Sequence, residues 1–594
     1  MKKFTMLSSV LASALMLTVA SCSSSDDITG GNGGENAEGT TSYIAVNLKT
    51  VGNAPTGNAH QSRSYNDAKG GQYEDGAGVE NVVKSVRFYF FNADGTPYIL
   101  NNTNGQTNYV DKTVTVSNGD QSQTVEGISE AVLVLNGESH AAPASMLTVV
   151  NPDINPELLK NGAAIRWSVM RKELKGSKFF DNDHFMMSNS TYEEAGNDLC
   201  TTQLTGKTYA SSTAAKDHPV DVYVERVNAK VNANVASGSA FETETNDVAL
   251  DGVSMKDKQK ITVGELSLAK DDGTSDKKTI FAYVVGWGLA SENGMAELFK
   301  QIDTQKFTDE ILGIYPWSTA DYHRSFWSLS VPFGGTGIDK NEPVNYKFSD
   351  YTHSLGEALY TLPNTPTSVI DEEHLYDNNL TKIVVATRLA YKDADGIVKP
   401  AEICEYKGQE FLGTDNLKKT LVNEITRYYK KVSAAGEADK YENLALSDIT
   451  FTTTAPTGTQ AKDYEVYAQL ASTVTTLYEK VGGVWKEVTD LSVVNKVLQA
   501  TPVEVRKGGM AYYYTTIQHL GAKGKLGEYG IVRNHSYQVS LNSIKGFGTP
   551  VYDPDKVIIP TVPSDDNTYL AAKINVLSWR VVPSTVDLDK TEKK

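Results

Sequence analysis

Apolar and polar residues alternate along this chain in short runs separated by turn signals, with a period of two far more often than 3.6. Val82 to Phe91 (VVKSVRFYFF) is one such run, and the Asp-Gly of Asn92-Ala93-Asp94-Gly95 behind it suits a hairpin turn. Ala131 to Leu135 (AVLVL) predicts a strand buried on both faces. Val220 to Val235 alternates Val222 and Val224 with Tyr223 and Glu225, then continues through Val227, Val231 and Val235. Ile383–Leu389, Tyr512–Ile517 and Tyr537–Leu541 predict further strands, while helical spacing is confined to Glu292–Ile302 and Asn416–Tyr429. The expected class is all-β with a few short helices.

The two ends carry matching patterns. Ser42 to Val51 (SYIAVNLKTV) places Ile44, Val46 and Leu48 on one face of a half-buried strand. Gly52 to Gly78 follows with almost no apolar content, and Arg63 is the only arginine between Cys22 and Arg87. An exposed loop with one such residue is where a trypsin-like protease cuts, here between Arg63 and Ser64, with Lys69 close by. At the other end Leu570, Ala572, Ile574 and Val576 share one parity, and Leu577, Trp579 and Val581 take the opposite one. A phase switch of this kind marks a bulge or a hand-over between packing surfaces. The Pro/Asp-rich stretch from Pro550 to Asp566 predicts a stiff spacer that detaches this final strand from the domain before it, although folding back onto that domain is the simpler arrangement. Extended, residues 569–588 would span roughly 65 Å, longer than a 200-residue domain is wide, at about 40–45 Å.

Composition then narrows the function. The chain has 594 residues and a net charge of −17, which argues against a phosphate-backbone ligand, and its 31 tyrosines fit a β protein. Lys2, Lys3 and the apolar run Met6–Ala20 read as a secretory signal, too short to span a bilayer. The run ends Val19-Ala20-Ser21-Cys22, which resembles a bacterial lipobox with Cys22 as the lipidated (diacylated, palmitate-type) mature N-terminus; the alternative is a plain signal peptide with an incidental cysteine. The Ser/Asp/Gly/Asn-rich stretch after Cys22 is a flexible tether. Cys200 and Cys404 lie far apart and read as buried thiols. No nucleophile elbow, zinc, Walker or dinucleotide motif is present, so no catalytic, metal or cofactor residues are assigned and an enzyme is not expected. Asp183-His184 beside Phe185-Met186-Met187 reads as a satisfied packing histidine, and Asp393-Ala394-Asp395-Gly396 as a hairpin turn rather than half a calcium loop. Trp287, Trp317 and Trp327 are the candidate aromatic platform for a surface glycan-binding lipoprotein, against scattered core aromatics.

Several stretches together carry a resemblance. Tyr512-Tyr513-Tyr514-Thr515-Thr516-Ile517-Gln518-His519-Leu520, Gly530-Ile531-Val532-Arg533-Asn534-His535-Ser536-Tyr537, Ile544-Lys545-Gly546-Phe547-Gly548-Thr549-Pro550 and the terminal Ile574–Val582 and Val586-Asp587-Leu588 resemble the C-terminal domain of Bacteroidales fimbrillins. Val224–Val231 resembles that family's strand near the end of the first domain. The likeness is strongest to stalk subunits of minor fimbriae, the type V pili. It implies two β-sandwich, transthyretin-like domains with a C-terminal donor-strand appendage. The implied divisions are a signal peptide (1–21), lipidated tether (22–40), propeptide strand and cleavable loop (41–63), N-terminal β-domain (64–240), C-terminal β-domain (241–550) and spacer with donor strand (551–594).

The resemblance further implies an outer-membrane lipoprotein precursor cut at Arg63/Ser64 by a processing protease. The strand bearing Ile44, Val46 and Leu48 is then lost, and the vacancy is refilled by Ile574, Val576, Leu577, Trp579 and Val581 of another copy. The implied partners are copies of itself in a head-to-tail filament and accessory anchor and tip subunits, in a cell-surface fimbrium supporting adhesion or biofilm. A tip or anchor role is the alternative within the family.

Overall fold

The computed structural model describes residues 41–50, 78–102, 105–113, 131–136, 142–160, 166–194, 197–269, 274–303, 318–319, 324–325, 327–433, 436, 438–560, 569–578 and 580–581. Cys22, Arg63, Ser64, Trp317 and Trp579 lie outside them. Leu48, Ile574, Val576, Leu577 and Val581 are described by backbone pairing only.

The first body is an eight-stranded sheet. Its strands are β1 (Thr41–Thr50), β2 (Ser85–Phe91), β3 (Tyr109–Thr113), β4 (Ala131–Asn136), β5 (Ser145–Val150), β6 (Met187–Asn189), β7 (Thr202–Gln203) and β8 (Val220–Arg226). They lie in the order β3-β2-β5-β6-β8-β1-β4, with β7 also on β5. Alternation assigns the faces. Ile44, Val46, Phe88, Phe90, Leu133, Leu135, Val222 and Val224 enter one core. Tyr89, Phe91, Leu147 and Val149 enter a second on the opposite face, covered by helix α1 (Trp167–Glu173) and by Ala296, Leu298 and Phe299. A short helix α2 (Ser212–Lys216), capped by the Ser211 side chain, lies beside β1. β4 differs from the expectation of burial on both faces. Leu133 and Leu135 are fully buried, but Val134 is 46% exposed, because β4 ends the sheet and has a core on one side only.

Between Arg226 and Ala229 the chain leaves this sheet. The run 220–235 that reads as one strand is two, β8 and then β9 (Ala229–Val235), which belongs to another sheet. The change of sheet thus precedes the expected boundary near residue 240. The chain continues through β10 (Gln259–Ala269), β11 (Ser275–Ala290), β12 (Ala358–Thr361) and β13 (Lys382–Lys392).

Residues 403–506 then build a separate body around its own core of Cys404, Leu417, Leu421, Leu477, Val494 and Val503. It contains β14 (Ile403–Tyr406), β15 (Gln409–Leu412), helix α3 (Thr414–Glu424), β16 (Tyr428–Lys431), β17 (Tyr441–Asn443), β18 (Ile449–Thr452), β19 (Glu465–Leu470), β20 (Leu477–Val481), β21 (Val484–Val488), helix α4 (Ser492–Leu498) and β22 (Val503–Arg506). This third body was not expected. Its short elements, joined by ordinary turns, look in the sequence like more of the same β-domain.

The chain returns as β23 (Met510–Thr516), β24 (His535–Lys545), β25 (Tyr569–Ser578) and β26 (Arg580–Val581). One sheet has the order β12-β9-β24-β25-β26, and the other includes β10-β11-β13-β23. Residues of both, among them Val231, Ile280, Trp287, Val385, Tyr513, Tyr537 and Val539, share a single core.

Two further expectations change. Glu292–Ile302 is not helical. Ala296–Glu297 pairs with Lys175–Gly176, and Ala296, Leu298 and Phe299 are drawn into the core of the first body, so tertiary burial overrides their helix-like spacing. The final strand is not detached either, since β25 hydrogen-bonds along β24 for its whole length. The open edge of β24 leaves a row of backbone groups to satisfy, and β25 satisfies them.

Candidate strand-exchange site

β1 sits inside its sheet rather than at an edge. Thr41 to Val46 pairs antiparallel with β4, and Val46 to Thr50 pairs parallel with β8. Tyr43 N–H donates to the Tyr209 carbonyl at 2.8 Å, and Tyr209 N–H returns a bond to the Tyr43 carbonyl at 2.9 Å. Ile44, Ala45 and Val46 are completely buried. Leu133 and Leu135 on one side, and Val220, Val222 and Val224 on the other, line the same core as Ile44 and Val46. Without β1, both neighbours would lose a ladder and that core would open along a row of pockets.

A short 3-10 turn, Gly78–Asn81, has its own anchorage. Glu80 is 3% exposed. Its carboxylate accepts from Tyr360 Oη at 2.7 Å and pairs with Lys230 Nζ at 2.9 Å, while its carbonyl accepts from Arg226 Nε at 2.6 Å. These partners come from β12, β9 and β8, so one residue binds both sheets. Next to it Glu225 pairs with Lys300 Nζ at 2.9 Å and Arg533 Nε at 3.0 Å, all three buried. Arg533 also donates to the Leu298 carbonyl and to Ser188 Oγ, both at 3.0 Å. Desolvation lowers the Arg533 pKa, and Glu225 opposes that shift. Charges buried this deeply persist only when paired and hydrogen-bonded.

Among the described residues, β25 is held on one side by β24 and on the other at its end, where Leu577 pairs with Val581 and Ser578 with Arg580. The register divides the tail. Leu570, Ala572, Ile574 and Val576 stand opposite Ile544, Leu541, Val539 and Tyr537, all residues of the core. Leu577 stands opposite Ser536, out of that row. The row of buried partners continues to His535, opposite Ser578, so the apolar residues of the tail change parity at Leu577 while their partners on β24 do not.

The other sequence candidates are structural. His184 is 3% exposed, with Nδ1 at 2.5 Å from Asp183 and Nε2 at 2.8 Å from Asp153. Hydrogen bonds from Lys84 and His184 pull the Asp183 carboxyl down to about 2. Asp393–Gly396 is a hairpin turn in which Asp393 Oδ1 accepts from the N–H of Asp395 and of Ile397 and Gly396 has φ +78°. Cys200 and Cys404 are free and buried. Trp287 and Trp327, at 0% and 2% exposed, belong to the core and form no surface platform.

The residues quoted for the resemblance scaffold the second body. Arg506, fully buried, donates from Nη2 to the Gly548 carbonyl at 2.8 Å, and Tyr513 Oη donates to the Gly546 carbonyl at 2.8 Å. Gly548 has φ +72°, and a Cβ there would lie 3.0 Å from the Tyr512 carbonyl oxygen. Tyr537 Oη accepts from Val532 N–H at 2.8 Å. Residues 506–584, which span this scaffold and β25, match the family model described as "Major fimbrial subunit protein type IV, Fimbrillin, C-terminal".

Over residues 506–584 the chain is similar to the C-terminal region of fimbrillins. Solved structures give distant likenesses. A Bacteroides eggerthii protein assigned provisionally to cell adhesion has 11% identity and a TM-score of 0.31, covering 91% of this chain and 97% of its own. The tip fimbrial protein Mfa3 of Porphyromonas gingivalis has 10% identity and a TM-score of 0.26, covering 90% and 99%. A fimbrial assembly protein of Parabacteroides distasonis has 11% identity and a TM-score of 0.22, covering 60% and 84%. Those TM-scores are too low to bear a conclusion. No curated protein matches the chain. The match supports homology of this region to fimbrial subunits.

Sequence reading missed the buried charge cluster. Glu225 and Arg226 occupy successive positions of one strand, so one was bound to face inward, and that adjacency was the available signal. Glu80 offered none, because its partners lie far away in the sequence.

Proposed function

We propose that the chain is a stalk subunit of a cell-surface fimbria that polymerises by strand exchange after proteolytic loss of β1. The carrying observation is the position of β1: it is an interior strand, completing a core and two ladders, and residues 51–77 link it in sequence to the body that it completes. That stretch contains Arg63-Ser64, the proposed cut. Glu80 supports the reading from the downstream side, since its bonds hold the new N-terminal segment in place while β1 departs.

Burial of Ile44 and Val46 contributes roughly 1.5–3 kcal/mol each, and the ladder hydrogen bonds about 1 kcal/mol each. β1 would thus leave slowly by itself, and an incoming strand that replaces its contacts stepwise lowers the cost of exchange. The tail has suitable chemistry. Its first phase, to Val576, remains on β24 of its own subunit. The second phase, beginning at Leu577 and including Trp579 and Val581, passes to the vacancy in the next copy. Such a contact is head-to-tail and builds a filament. Lipidation at Cys22 delivers the precursor to the outer-membrane surface before cleavage.

The test treats purified tether-containing precursor with trypsin. Ladders resistant to SDS without heating are expected, and are lost when residues 569–594 are deleted. Monomer persisting after verified cleavage at Arg63 would sink the proposal.

A further inference from the structure

β1 carries a cover on the face that its core row does not use. Tyr43 has β4 on one side, so its bridge to Tyr209 lies on the other, the side of β8. Three positions further on, Val46 stands opposite Val220, where β8 begins. Tyr209 and Val220 are therefore roughly 10 Å apart along one edge of β1. Residues 210–219 between them are too many for that gap and must rise off the sheet. The core side is already filled by Ile44, Val46, Val220 and Val222. The segment rises on the other side as α2, which packs chiefly on β1 and next on β4.

Alternation puts Ala45 on that outer face, between Tyr43 and Asn47. Val134, opposite Tyr43, is exposed there. Ala45 is nonetheless completely buried, and so is Ala215, the buried residue of α2. Neither joins the core beneath the sheet. The helix thus covers β1 at Ala45, and it can lie so close because both residues are alanine. The loop is closed on itself at both ends. Ser211 Oγ accepts from Ala214 N–H at 3.2 Å, and the His218 ring stacks on Tyr209 with centroids 5.6 Å apart and planes at 21°.

A cover this close limits what can lie beneath it, since extra methylenes in a filled site force backbone shifts. A strand in the place of β1 must present a small side chain under α2, flanked by two apolar ones that point to the core. Ala571 and Ala572 adjoin each other, Ala572 has Lys573 beside it, and Ser584 lies between Pro583 and Thr585. Ser578 lies between Leu577 and Trp579 and meets the requirement.

We propose that α2 is a size gate on the strand-exchange groove. It admits a strand with a small residue at the position of Ala45, and so places Ser578 of the incoming tail there. The identity of the incoming strand rests on the strand-exchange reading above; the gate does not.

The gate is tested first in the uncleaved precursor. Ala45→Leu should lower the first body's thermal transition by about 5 °C, the scale of overpacking a closed site. With residues 211–218 replaced by Gly-Ser-Gly-Ser, the same substitution should leave the transition unshifted. Equal shifts in the two backgrounds, or no shift in either, overturn the gate. Trypsin-treated full-length protein then reads the register. Ser578→Ala should form ladders, Ser578→Leu should lose them, and the shortened loop in the same chain should restore them. Restoration from the receptor side excludes a folding defect in the tail. Ladders from Ser578→Leu with the natural loop, or their loss with both loops, overturn the placement of Ser578. Absence of ladders from the natural sequence after verified cleavage ends strand exchange and the register together, while the Ala45 comparison still decides the gate. Should the shortened loop not fold or not assemble, Ala215→Gly takes its place in both comparisons, with partial recovery expected and no recovery counting against the gate.

Discussion

Two terminal strands, β1 and β25, solve opposite problems. β1 lies between two partners, is fully buried at Ile44, Ala45 and Val46, and belongs to the first body. Among the described residues, β25 pairs with one long partner and on its outer side only at Leu577 and Ser578, and it belongs to the second body. A strand paired on both sides leaves a shaped vacancy when removed. One paired on a single side leaves only an open edge. In the proposed strand exchange the first strand would leave the receptor site and the second would supply the donor: the first is defined by what surrounds it, the second by how little does.

The largest test of this contrast compares two deletions in the uncleaved precursor. Removing residues 41–50 should abolish cooperative unfolding of the first body, as two ladders and a core row go together. Removing 569–594 should leave that transition in place and weaken only the second. Thermal and urea melts resolve the two, and equal losses would erase the distinction. Next in size is Glu80→Gln, which leaves Lys230 short of its counter-charge in a buried site and should cost about 3–5 kcal/mol. After trypsin it should also expose the cleaved end, read as new cuts near Lys84.

A smaller effect uses pH to move one body without the other. Lys382 on β13 is completely buried, and desolvation pushes its ammonium down to about 7, below its ordinary 10.5. Between pH 7 and about 10.5 the unfolded chain therefore binds more protons than the folded one, so stability of the second body rises with pH across that window. Lys382→Met should flatten the rise there and leave the first body's transition unmoved. The smallest change in the monomer is expected from Trp579→Asp. The precursor's melt should be unaltered within about 0.5 kcal/mol, while trypsin-induced ladders disappear. Ladders from this variant would remove Trp579 from the donor.

Much of this was legible from period alone. Alternation located β2, β13, β23 and β24, the parity of Ile44 and Val46, and the phase switch at Val576-Leu577. Those features are local, because a strand's two faces are set by its own backbone. Neighbours are not local. Nothing in Thr41–Thr50 says that it will lie between β4 and β8, and nothing in Ala296, Leu298 and Phe299 says that another body will claim them. The inserted body was hidden because its turns and short strands resemble those around it.

The sequence by itself determined the all-β class, the apolar row of each terminal strand and the scarcity of apolar residues around Arg63, since side-chain alternation and polarity are properties of consecutive residues. Only the tertiary structure decided that β1 is interior, that β25 returns to β24, and that Glu80 is gripped by Arg226, Lys230 and Tyr360. Those outcomes depend on which open edges and unpaired charges remain elsewhere in the fold, a balance that no single stretch of chain contains.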